Sequence, residues 1–166
     1  DTAWAIQKAL VEKRGPMVPL IAETGGINAM IADTSALPEQ VVRDCVRSAF
    51  DSAGQRCSAA RVLFVQSDTA GRLIDMLTGA IAELQIGDPL EPATDVGPVI
   101  DETARDTLDA HKLKMQRTAK MRIDRKLPQG VSAGTYVAPA AYEIDRLNIL
   151  DREVFGPILH VVRYGQ

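Results

Sequence analysis

Cysteine and histidine are scarce in this chain, with two of each in 166 residues. Cys45 and Cys57 stand twelve positions apart with no nearby partner, a spacing that fits neither a disulfide framework nor a zinc site. Neither His111 nor His160 has a Ser or Cys arrangement around it that argues for a triad, so both read as structural. No apolar run is long enough to span a membrane, and no signal-peptide pattern opens the chain. A net charge of −3 is too small to imply binding to nucleic acid or to a membrane. There is no internal repeat and no low-complexity tract. Free thiols without disulfides point to a reducing compartment, and a cytoplasmic location is expected.

What is present is the composition of a soluble globular protein, 46% hydrophobic and 25% charged. A chain of this length can bury roughly two-thirds of its unfolded surface, so a core forms without covalent staples. The pattern opens with a helix over residues 2–13, ended by Gly15-Pro16. Short apolar runs at 18–22 and 29–32 read as buried strands. Pro38 suits the first turn of a helix reaching about Ala53, with Cys45 on its apolar stripe. Residues 61–66 (RVLFVQ) read as a strand, 68–85 as a second amphipathic helix, and Asp101 as the cap of a third. That third helix carries Ala104, Leu108, His111 and Met115 on one face. Further strands are expected at 121–123, 136–138, 142–144 and 158–162. Alternation of strands and helices predicts an α/β fold, an open, mostly parallel sheet with helices on both faces.

Three places could carry chemistry. Cys57 lies in a loop between a helix and a strand, among small residues and next to Arg56, where a thiol can ionise and react. Loops at strand ends are where open α/β sheets bind ligands. Cys45, on its helix stripe, reads as core packing instead. Glu23 precedes Gly25-Gly26, two residues that let the backbone approach a ligand closely, and a carboxylate there can act as a general base. Glu153-Val154-Phe155-Gly156-Pro157 sets an acid and an aromatic before a turn and a strand. Its carboxylate can accept from ribose hydroxyls while the ring packs on a flat ligand. Seven Lys or Arg residues between 112 and 126 read as a solvated face.

These segments resemble the aldehyde dehydrogenase superfamily. Glu23-Thr24-Gly25-Gly26-Ile27-Asn28 is similar to its glutamate motif, Glu-(Leu/Thr)-Gly-Gly-x-Asn. Phe50 to Cys57 (FDSAGQRC) is similar to its F-x-x-x-G-Q-x-C cysteine motif, and Glu153 to Pro157 to its E-x-F-G-P cofactor motif. The motifs occur in the family's order, 34 and 96 residues apart, and the likeness runs through essentially all of the chain. Within the superfamily the wording is most similar to L-glutamate γ-semialdehyde (1-pyrroline-5-carboxylate) dehydrogenases, and more narrowly to that domain of the bacterial bifunctional proline-utilisation proteins. Ile27, where Lys or Gln is common, and residues 112–133 depart from the pattern.

The resemblance implies an NAD-dependent enzyme of proline catabolism that oxidises a small-molecule aldehyde through a cysteine thioester. In that reading Cys57 is the nucleophile and Glu23 activates the hydrolytic water. Glu153, Phe155 and Gly25 meet the cofactor, and Ser58 touches the substrate carboxylate. Arg56 and Arg61 can add positive charge. No metal is expected, and FAD belongs only to a separate proline dehydrogenase domain, if one is present. The intact enzyme is expected to be a homo-oligomer. Asp1 falls inside a helical pattern and Gln166 directly after a strand-like run, so a longer protein is expected. Residues 1–22 are then the tail of a cofactor-binding domain, and residues 23–166 a catalytic domain truncated at its C-terminus. Other semialdehyde dehydrogenases, or a non-catalytic structural fragment, are the competing readings.

Overall fold

A computed structural model describes residues 2–131 and 134–165. Five strands form one sheet in the order β1-β2-β5-β4-β3, with β1 at Ala29–Ala32, β2 at Val62–Gln66, β3 at Lys120–Asp124, β4 at Ala140–Glu143 and β5 at Ile158–Tyr164. The pairings β1–β2, β2–β5 and β5–β4 are parallel, and β3 closes the edge antiparallel to β4 with a register shift between Met121 and Ile123. The expected mostly parallel sheet is present. Strands β2 and β5 are β-branched, apolar and central, with Val62, Leu63, Val65, Ile158, Leu159 and Val161 all buried. Fully burying one such side chain is worth about 1.5–3 kcal/mol, so this pair of strands anchors the core.

The helices α1 (Thr2–Glu12), α2 (Pro38–Phe50), α3 (Ser67–Glu83) and α4 (Glu102–Thr118) connect or precede the strands. Pro38 sits at the start of α2 as its fixed φ favours, and Val42, Cys45, Ala49 and Phe50 form its buried stripe. Asp101 caps α4, its Oδ1 accepting from the Ala104 N–H at 2.7 Å. Helix α4 lies over the sheet face that carries His160 and Tyr142, whereas α2 and α3 cover the face of Leu63 and Val161. Among the described residues no helix is long and apolar enough to cross a membrane.

Three sequence expectations fail. Residues 18–22 form no strand; apart from the half-buried Leu20 they are exposed, like most of residues 2–28. Helix α1 buries none of its residues, and Trp4 is 78% exposed. An apolar run becomes a strand only where a neighbour can pair with it, and β2 meets β1 instead. Residues 136–138 do not join the sheet, with Val137 and Ala138 buried and Tyr136 half-buried, and β4 begins at Ala140. Helix α2 stops at Phe50 rather than Ala53, because residues 51–54 tighten into a 3-10 turn with Ser52 and Ala53 at φ 55° and 52°. Left-handed backbone at non-glycine residues costs energy that the surroundings must repay. Gly54, at φ +65°, completes the reversal, and a Cβ there would stand 2.3 Å from the Gly156 carbonyl oxygen.

Candidate active site

The chain reverses sharply at 51–54 because Gln55–Ala60 must run back to the start of β2. Gln55 fixes the reversal. Its Nε2 donates to the Pro98 carbonyl at 3.3 Å, and its Oε1 accepts from the Ile100 N–H at 2.8 Å, joining this loop to the segment before α4. Cys57 and Ser58 then form the tip of a turn closed by the Ala59 N–H donating to the Arg56 carbonyl at 3.0 Å. Both are exposed, and Cys57 is a free thiol. The second cysteine is its opposite. Cys45 is fully buried, and desolvation pushes its thiol up to about 12. A thiol so held stays protonated and inert.

Asn28, immediately before β1, donates from Nδ2 to the Cys57 carbonyl at 2.6 Å and to the Ala59 carbonyl at 3.0 Å. The last residue of the glutamate motif therefore supports the backbone of the cysteine motif. Two residues earlier, the Gly26 N–H donates to Glu153 Oε2 at 3.0 Å. Gly25 leaves space for this contact, since a Cβ there would come within 2.3 Å of that oxygen and displace the Glu153 carboxylate. Glu23 is exposed on the same segment, three residues before this anchor.

The third motif leads into β5. Gly156 lets α4 close down, because a Cβ on it would stand 2.5 Å from the Leu108 methyl carbons. Glu153 keeps 13% of its side chain accessible and pairs with Arg61 at 3.1 Å, while Phe155 is exposed. Burial draws the Arg61 guanidinium downward from its usual range, and the hydrogen bond and charge of Glu153 oppose that. A groove lined by Gln55, Ile100, Thr107, Leu108, Glu153 and Phe155 runs beside this pair.

Because β1, β2 and β5 are neighbours in the sheet, the three motif loops that precede them come together. They gather at the amino ends of these parallel strands, whereas open α/β sheets usually bind ligands at the carboxyl ends. Sharp reversals and close glycine contacts replace the open crevice of that arrangement. Among the described residues, no three His, Cys, Asp or Glu converge to hold a metal.

Asn28 and Gln55 belong to the motifs without a role that the sequence alone assigns, and the side-chain contacts of Arg61 emerge only in the fold. Arg61 carried a usable signal: a charged residue opening an otherwise apolar buried strand needs a partner carboxylate. Arg56 takes another course, exposed and donating to the Arg47 carbonyl at 3.1 Å. The basic stretch 112–126 is less solvated than expected. Lys112 pairs with Asp124 at 2.6 Å and Lys114 with Asp151 at 2.6 Å, while Arg122 pairs with Glu143 and Arg125 donates to the Leu84 carbonyl. The two histidines, read separately as structural, touch each other.

The contrast between the thiols yields a direct test. Iodoacetamide is expected to alkylate Cys57 at least about a hundredfold faster than Cys45 in the folded protein, as exposure and thiolate access require. Equal rates, followed by peptide mapping, would remove Cys57 as the reactive group.

The aldehyde dehydrogenase family model matches residues 2–166. The bifunctional protein PutA of Escherichia coli is 48% identical over 174 residues, an alignment covering 100% of this chain and 13% of that protein. A solved structure of proline utilization A from Bradyrhizobium japonicum matches at TM-score 0.91 and 57% identity, over 98% of this chain and 16% of that one. A putative methylmalonate-semialdehyde dehydrogenase of Sinorhizobium meliloti, solved in complex with NAD, matches at TM-score 0.79 and 29% identity, over 86% of this chain and 30% of that one. The chain thus spans about an eighth of the curated relative's length.

Proposed function

This chain belongs to the aldehyde dehydrogenase family, and on that premise we propose that it forms the thiol-bearing part of an NAD-dependent enzyme oxidising L-glutamate γ-semialdehyde to glutamate in proline catabolism. The observation that supports this most is the convergence of an exposed thiol, a glycine-flanked carboxylate segment and an acid–aromatic loop at the amino ends of three neighbouring strands. The 48% identity to a bifunctional proline-utilisation protein carries the choice of substrate class.

Each residue has a role in this reading. The Cys57 sulfur, as thiolate, forms a C–S bond to the aldehyde carbon, and the Cys57 backbone N–H helps hold the oxyanion that results. When bound, NAD supplies the oxidant, accepting the hydrogen and two electrons that leave the reacting carbon. Cys57 is then acylated as a thioester. Glu23 takes a proton from water, the water oxygen attacks the acyl carbon, and the thiolate leaves with its electron pair. Ser58, at the tip of the same turn, offers a hydroxyl to the substrate's distant carboxylate.

The residues present fit a dinucleotide. Glu153 has a carboxylate open to the groove for ribose hydroxyls, Phe155 offers an exposed ring for the nicotinamide side, and Gly25 leaves room against Glu153 that any side chain would fill. We assign residues 1–22 to the cofactor-binding domain and residues 23–166 to part of the catalytic domain. The segment by itself is then inactive, because it corresponds to only 30% of the semialdehyde dehydrogenase chain it resembles. A cytoplasmic homo-oligomer is the setting that suits a free reactive thiol.

Substrate choice is measurable in the intact enzyme. Its kcat/KM for glutamate γ-semialdehyde is expected to exceed that for succinate semialdehyde by about tenfold or more, the discrimination a few polar contacts provide. The reverse preference would move the chain to a different semialdehyde subgroup.

A further inference from the structure

Arg61 is 1% exposed, and a cation at that depth is costly unless its donors are met. Its guanidinium reaches two loops at once. The Nε donates to Glu153 Oε1 at 3.1 Å, and Nη2 lies 3.1 Å from the same oxygen. Nη1 donates to the Gly156 carbonyl at 3.2 Å, and Nη2 donates to the Arg56 carbonyl at 3.3 Å. Its Cζ stands 5.0 Å from the centroid of the Phe155 ring. Arg56 is the residue before the nucleophile, whereas Glu153 and Phe155 belong to the cofactor loop. One planar cation therefore spans the distance between them.

The backbone of Arg61 is held as firmly. Its N–H donates to the Asn28 carbonyl at 2.9 Å, and its carbonyl accepts from the His160 N–H at 2.9 Å. His160 Nδ1 lies 3.0 Å from that same carbonyl, so Nδ1 carries the proton and Nε2 is left to accept. His111 Nε2, 2.9 Å away, donates to it. Burial pushes both imidazoles down to about 4, which keeps the pair neutral.

We propose that Arg61 is a positioning residue that sets the separation between the Cys57 turn and the Glu153–Phe155 loop, so that thiol and cofactor meet at one substrate carbon. The proposal rests on the reading of Glu153 as a ribose acceptor. Arg61 occupies Oε1 and the Gly26 N–H occupies Oε2, which holds Glu153 in one orientation at the wall of the groove. Lysine cannot replace this. A single ammonium has no fork with which to hold a carboxylate and two carbonyls on different loops. Misplacement of reacting groups by an ångström costs on the order of a hundredfold in rate.

The test compares R61K, R61M and E153Q in the intact enzyme, with NAD affinity from direct titration, KM for both substrates, and alkylation of Cys57 and Cys45. In R61K we expect NAD affinity to fall about tenfold, as loss of charge-assisted hydrogen bonds implies. In the same variant kcat falls by a similar factor, the aldehyde KM shifts less than about twofold as remote binding is untouched, and Cys45 stays protected. R61M shows the same split more strongly if it folds. Should E153Q weaken NAD binding while R61K leaves affinity and kcat normal, the positioning role is overturned and the Glu153 reading stands. Should E153Q leave NAD binding unchanged, the Glu153 reading itself fails, and this proposal with it. Equal losses toward both substrates in R61K, with Cys45 newly reactive, would mark a merely structural arginine and also overturn it.

Discussion

In the intact enzyme, replacing Cys57 by alanine is expected to lower kcat/KM for NADH formation by roughly ten-thousand-fold or more, because the proposed acyl bond is made to its sulfur. The melting temperature should move by no more than about 2 °C, since an exposed side chain at a turn tip contributes little to stability. Exposure of Cys57 and the turn that holds it are what permit this separation of activity from stability. Cys45→Ala is the matching control. It should keep full activity yet cost about 1–2 kcal/mol, as trimming a buried side chain does. A Cys57→Ala protein with normal turnover would end the covalent mechanism, whatever else in the site survived.

The second large effect concerns Glu23. Glu23→Gln keeps the shape of the side chain and removes its capacity to take a proton. Acylation does not need that capacity, so a first turnover should release about one equivalent of NADH per site, followed by a steady rate lowered roughly 10²–10⁴-fold. Rapid-mixing absorbance at the NADH band reads both phases. A strong nucleophile such as hydroxylamine attacks the thioester without base assistance, and it should restore turnover in the variant. Loss of the burst would show instead that Glu23 acts before the thioester forms. The segment carrying Glu23 is anchored at Gly26 to Glu153 and at Asn28 to the Cys57 turn, so the substitution need not disturb the nucleophile.

Much of the fold was legible because it rests on local pattern. Pro38 and Asp101 marked helix starts, and the stripe of α2 and the apolar run of β2 marked buried faces, all of them where periodicity predicted. The apolar run at 18–22 was misread because strand formation depends on a pairing partner, which no window of sequence contains. The pattern extends helix α2 to Ala53 because Ser52 and Ala53 give no sign in the sequence that they adopt left-handed backbone, a conformation that only the surrounding fold can hold. The motif residues of the candidate site are named by resemblance. Their mutual contacts are not, since the ion pair of Arg61 and Glu153 joins positions 92 apart.

Anyone moving the Cys57 turn into another scaffold inherits a constraint from that ion pair. A graft of residues 55–61 alone would strand a guanidinium in a dry interior, and losing one partner of such a pair typically costs about 3–5 kcal/mol. The recipient would have to import the acid before β5 and the glycine pair before β1 in the same step, since Glu153 answers to both. The three motif loops are therefore transplanted as a set, and intermediates on a one-loop-at-a-time route should express as poorly folded protein.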